Sequence, residues 1–99
     1  MKVKIPFKAR FKEPMLKDVK TLTSRTKRYG TYGDTFEAFG HKFEITDVLE
    51  ATLDTVSAFW DREGCSSKED FIEVWIKIHP RKGFVLDQRV FVHVFRRID

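Results

Sequence analysis

The run Lys20-Thr21-Leu22-Thr23-Ser24-Arg25 sets an amine, three hydroxyls and a guanidinium in six consecutive positions, and Arg62-Glu63-Gly64 later adds a carboxylate. Amide hydrolysis needs a nucleophile, a proton carrier and a group that stabilises a developing oxyanion, and Thr23, Lys20 and Glu63 have the chemistry to share those tasks. The same residues also suit a polar binding site, in which Thr21, Arg25 and Arg62 contact the ligand; Arg25 either clamps a phosphate or base edge or pairs with a surface acid. A third reading is architectural, with a Lys20–Glu63 salt bridge tying a strand to the helical segment. For Lys20 to act as a base its pKa must fall by roughly three units from about 10.4, which costs about 4 kcal/mol. Burial acts in that direction and a neighbouring Glu63 carboxylate opposes it, so a charged Lys20 that holds a carbonyl or oxyanion fits equally well.

These side chains meet only if the elements that carry them allow it. Positions three apart on a regular strand face opposite sides, so Lys20 and Thr23 share one pocket only if a bulge or a helix-to-strand turn intervenes at Lys20-Thr21. Upstream, Val3, Ile5, Phe7, Ala9 and Phe11 alternate with basic residues, a period of two that predicts a strand with a basic outer face and, because of Pro6, an edge or bulged position. Glu13 to Val19, with Pro14 near its start, predicts one or two helical turns. Thr21 to Thr26 reads as the second strand and Lys27-Arg28-Tyr29-Gly30 as a turn. A hairpin follows, Thr35 to Phe39 and Lys42 to Val48, joined by a type II′ turn at Gly40-His41.

Leu53, Val56, Phe59 and Trp60 have helical spacing, with Thr52 or Asp54 as the cap. A second helix begins at the capping box Ser66-Ser67-Lys68-Glu69, carries the stripe Phe71, Ile72, Trp75, Ile76 and Ile78, and stops at Pro80. Arg89 to Phe95 is apolar or aromatic on both faces, as an internal strand is. The sum is an α+β protein: a small barrel of four or five strands, two mid-chain helices and a short helix before the second strand.

At 99 residues, with 41% apolar content, ten Phe and two Trp, residues 1–99 are expected to form a single domain around one core. No stretch approaches the ~20 apolar residues of a membrane span, and the N-terminus lacks a signal-peptide pattern, so a cytoplasmic protein without membrane contact is expected. Cys65 is the only cysteine and the three histidines are scattered, which leaves no disulfide and no metal-ligand spacing; neither metal nor cofactor is implied. The net charge of +4 is uneven, with basic residues crowding the first third. Lys4, Lys8, Arg10 and Lys12 on the first strand, with Lys27 and Arg28 in the turn, offer a surface for RNA phosphates. Trp60, Trp75 and His93 read as core, and Cys65 has no histidine beside it to make it a nucleophile.

Five pieces in order, Lys20-Thr21-x-Thr23-x-Arg25, Tyr32-Gly33-Asp34, Arg62-Glu63-Gly64-Cys65-Ser66, Phe71-x-x-x-Trp75 and Val90-Phe91-Val92-His93-Val94-Phe95, resemble the ASCH domain family of the PUA-like β-barrel superfamily. The resemblance covers nearly all of the chain from about residue 15. It implies a PUA-like barrel that binds RNA or a modified nucleoside in a polar pocket between barrel and helices. It implies as an alternative the activity of small bacterial members similar to amidohydrolases that deacetylate acetylcytidine. That family's lysine, threonine and glutamate fall on Lys20, Thr23 and Glu63.

Overall fold

In the computed structural model, which describes residues 1–99, four strands form one antiparallel sheet: β1 (Leu22–Arg25), β2 (Thr35–Ala38), β3 (His41–Thr52) and β4 (Arg89–Arg97), in the order β1-β4-β3-β2. Three helices complete it: α1 (Lys12–Leu16), α2 (Leu53–Ser57) and α3 (Lys68–Ile78). The sheet curls into a half-barrel because the long β3 slips register between Ile45 and Asp47, and such a bulge bends the strand and increases its twist. An aromatic cluster fills the curl. Phe36 stacks on Phe43 with centroids 5.3 Å apart, Phe95 meets both edge-on, and Phe7 stacks on Phe36 at 5.7 Å. Offset and edge-on contacts of this kind add to the burial of the rings themselves.

The α+β half-barrel agrees with the expected architecture, and the differences have local causes. The alternating segment Val3 to Phe11 is not a ladder strand. It is an extended arm tied by one parallel bridge, Lys2 to Thr35, and it closes into a 3-10 turn at Ala9–Phe11. The alternation is real in burial, since Ile5 and Phe11 are buried and Lys4, Lys8 and Arg10 exposed, but Pro6 removes a donor and the arm winds over the barrel mouth. The hairpin pairs Ala38 with His41, so its turn is Phe39-Gly40 and not Gly40-His41. Both turn residues have positive φ, 54° and 79°, as type I′ requires and type II′ does not.

α3 is capped one residue later than expected. The Ser67 hydroxyl accepts from Asp70 N–H at 3.0 Å and the Asp70 carboxylate accepts from Ser66 N–H at 2.9 Å, so the capping side chains are Ser67 and Asp70 rather than Ser66 and Glu69. Phe71 and Trp75 anchor the helix, whereas Ile76 and Ile78 face outward, so its apolar stripe is narrower than the spacing predicts. α2 is a short helix capped by Thr52, and Phe59 beyond it is exposed. α1 ends where Asp18 turns to φ 58°, and Lys20 and Thr21 then cross from helix to sheet before β1 begins. The irregularity expected at Lys20-Thr21 is this helix-to-strand turn.

Candidate functional site

A cavity of about 470 Å³ opens between β1, the N-terminal arm and α3. Its walls are of two kinds. Phe7, Phe11, Tyr29, Phe71 and Trp75 supply aromatic and apolar surface, and Lys20, Thr23, Ser24, Arg25 and Glu63 supply polar groups. Mixed walls of this sort bury a planar ligand and fix its orientation with a few bonds.

Lys20 and Glu63 form the centre of the polar side. Both are almost fully buried, and the Lys20 ammonium donates to Glu63 O at 2.7 Å, Leu22 O at 3.0 Å and Glu63 Oε1 at 3.4 Å. Three donors meeting three acceptors is the arrangement of a charged amine, and the ring of Phe11 lies 4.5 Å from the nitrogen. Burial lowers the Lys20 pKa, while the Glu63 charge opposes that fall. The acceptor set leaves the nitrogen no free lone pair, so a charged Lys20 describes this arrangement better than a base. The salt bridge of the architectural reading is therefore present, and it is also part of the cavity wall.

The chain folds to make this contact through Gly64. Its φ is +86°, and a Cβ there would sit 2.9 Å from Lys20 Cβ, so only glycine lets the Glu63 turn close over the lysine stem. Thr21 N–H and Leu22 N–H both donate to Arg62 O, which fixes the same turn against the start of β1.

The second oxygen of Glu63 accepts from the Ser24 hydroxyl at 2.6 Å. Thr23, by contrast, accepts from Arg25 Nε at 3.1 Å and is not hydrogen-bonded to Lys20 or Glu63. Arg25 donates a second bond to Pro6 O, and its guanidinium lies 5.0 Å from the Phe7 ring and 5.5 Å from the Tyr29 ring. It faces the cavity from the rim and pins the arm to β1.

Thr21 and Arg62 bond to each other, Arg62 Nε to Thr21 Oγ1 at 2.9 Å, and neither lines the main cavity. Thr21 instead borders a second, smaller cavity near Met15 and Arg97. Of the basic residues, Lys4, Lys8, Lys12, Lys27 and Arg28 are exposed, and Lys8 reaches the cavity rim. Lys27 lies 5.0 Å from the Tyr29 ring, and Arg28 donates to Gly30 O and Thr31 Oγ1. Arg10 is engaged differently: it forks onto Asp70 at 2.6 and 3.3 Å, and this fork, with the bond that Ser66 N–H donates to the same carboxylate, holds the Asp70 pKa down to about 2.

Ser24, Phe7, Phe11 and Tyr29 belong to the site without having been singled out by spacing. For Ser24 the period of two points away from Thr23 and Arg25, and only its place on the sheet edge brings it in. Cys65 also lines the cavity, but burial pushes its thiol up to about 11. His93 is fully buried beneath β1: Nε2 accepts from Tyr29 N–H at 3.0 Å and Nδ1 lies 3.4 Å from Thr23 O, which places the ring proton on Nδ1. Burial lowers its pKa and keeps it neutral.

No protein-family model matches the chain, and a search of curated proteins finds no match. Solved structures do resemble it. The hypothetical protein PH0355 superposes with a TM-score of 0.72 at 15% identity, covering 99% of this chain and 100% of that one. An ASCH domain from Lactobacillus crispatus gives 0.66 at 15% identity, covering 95% and 77%. Protein EF3133 from Enterococcus faecalis gives 0.65 at 17% identity, covering 91% and 71%. Identities this low speak to the backbone alone, and the agreement extends over almost the whole chain. The chain has an ASCH-like fold.

Proposed function

We propose that this chain binds RNA by taking one of its nucleosides, or a free modified nucleoside, into the cavity between β1 and α3. The observation that carries this is the pairing of aromatic walls with a buried Lys20–Glu63–Ser24 network in about 470 Å³, a space of nucleoside size. Aromatic rings stack on any base, and the polar side supplies orientation. Lys8, Lys27 and Arg28 stand outside as sites for flanking phosphates. Trp75 gives the test: with Trp60→Phe leaving it as the one indole, its emission should change saturably on adding nucleosides or short single-stranded RNA. Emission indifferent to every nucleoside and RNA tried would overturn the reading.

Deacylation of an acetylcytidine-type nucleoside is the second reading, favoured by Lys20, Thr23 and Glu63 all bordering one cavity. In it Lys20 keeps its charge and exchanges its longest bond, the 3.4 Å one to Glu63 Oε1, for the acyl oxygen, and Thr23 exchanges its Arg25 bond for the substrate. Chromatography of acetylcytidine incubated with the protein should show cytidine with the wild type and none with Glu63→Gln. Absence of product at high protein concentration rejects turnover and leaves binding intact.

A further inference from the structure

β1 is an edge strand, and its hydrogen bonds fix which of its backbone groups point outward. In an antiparallel pair, alternate residues turn N–H and C=O toward the partner. Phe95 N–H donates to Thr21 O, and the register pairs Thr23 with His93 and Arg25 with Phe91. The C=O of Thr21 and both backbone groups of Thr23 and Arg25 therefore face β4, and Leu22 and Ser24 face the open side. Leu22 is satisfied there: its N–H donates to Arg62 O at 3.3 Å and its C=O accepts from Lys20 Nζ at 3.0 Å. Ser24 N–H and C=O have no protein partner. The residue that carries them is 8% exposed, lines the cavity and gives its hydroxyl to Glu63.

Buried backbone groups without partners are rare, and a pair on one residue in a cavity is a ready bonding site. We infer that the β1 edge is the reading edge of the cavity: Ser24 N–H and C=O bond a heterocycle that carries an acceptor and a donor side by side, as the Watson–Crick edge of a nucleobase does. This rests on the reading of the cavity as a nucleoside site and adds the groups that would read the base. An extended peptide fits the edge less well. Strand addition needs open groups on alternate residues in series, whereas here Leu22 is closed by Arg62 and Lys20, and the arm held by Arg25 crosses beyond. One open residue between Phe7, Phe11 and Tyr29 suits a planar monomer.

The test compares uridine with 3-methyluridine, in which a methyl group replaces the donor beside the carbonyl, using Trp75 emission in the Trp60→Phe chain. It adds two variants. Ser24→Ala removes the hydroxyl and keeps the edge N–H, and Ser24→Pro removes that N–H, which an edge strand tolerates on its outward side. Uridine should bind at least tenfold more tightly than 3-methyluridine, and Ser24→Pro should lose at least tenfold more affinity than Ser24→Ala. In the unsubstituted chain the Ser24 amide resonance should move downfield with uridine and stay in place with 3-methyluridine, a readout that holds even if Ser24→Pro does not fold. Equal binding of the two nucleosides with a stationary Ser24 amide overturns the edge assignment and leaves the nucleoside site standing. No response to either nucleoside overturns both, and an alanine tripeptide that moves the Ser24 amide where uridine does not would assign the edge to strand addition instead.

Discussion

Lys20 shows how one residue serves structure and site together. Its ammonium is buried against Glu63, two backbone carbonyls and an aromatic ring, so removing it strands a carboxylate and two carbonyls in low dielectric. Lys20→Met should cost about 3–5 kcal/mol in urea unfolding. Adding Glu63→Gln should return part of that loss, because a neutral amide still accepts the Ser24 bond and no longer leaves a buried charge. Cys65 makes a second expectation. With its thiol pushed up to about 11, the native protein should react with iodoacetamide at pH 9 at least tenfold more slowly than the urea-unfolded chain. The sign follows for stability: an unfolded thiol ionises near 8.5 to 9 while the folded one stays protonated, so this group favours unfolding increasingly as pH rises from about 9 to about 11. At this scale the motif told which residues lie near one another. It did not tell which hydroxyl meets Glu63, since Thr23 and Ser24 differ only by the side of the strand they take.

Among the elements, the presence of α3 and of the hairpin was legible from their periods, whereas the cap of α3 and the turn of the hairpin lay one residue away from the expected positions. The arm was not legible, because an extended chain over an apolar mouth produces the same period of two as a paired strand. Ile5, Phe7 and Phe11 face inward in either case, and only the hydrogen bonds tell them apart. The part of the cavity's aromatic wall that the arm supplies, Phe7 and Phe11, was not legible for the same reason. The arm's far end is held by Arg10 on Asp70, which at the same time caps α3. Asp70→Asn should therefore cost about 1 kcal/mol. Asp70 has a pKa lowered to about 2 from an unfolded value near 3.9, so its contribution is complete above about pH 4 and disappears as pH falls toward 2. Urea midpoints of the wild type should drop across that window by more than those of Asp70→Asn.

At the scale of the whole molecule, the aromatic cluster fills the curl of the half-barrel and the cavity lies between β1, the arm and α3, with exposed Lys8 at its rim. The fold was legible from five motif pieces in order. The position of the charges was not, because Lys4 and Lys8 leave an extended arm and Lys12 the start of α1, where one flat strand face was expected. On the proposed reading, the net charge of +4 and exposed Lys8, Lys27 and Arg28 predict an affinity for single-stranded RNA that falls with salt. Each phosphate contact removed should reduce the slope of log affinity against log salt by about 0.7. Lys8→Gln with Lys27→Gln should thus flatten it measurably, while leaving the binding of an uncharged nucleoside unchanged.

The most direct measurement is a two-dimensional amide titration of the labelled chain with uridine and with a short single-stranded RNA. If a base enters the cavity, both ligands shift Lys20, Ser24, Arg25, Tyr29 and Trp75, and only the RNA adds shifts at Lys8, Lys27 and Arg28. Shifts confined to the basic rim, with Ser24, Tyr29 and Trp75 silent for both ligands, would contradict the account.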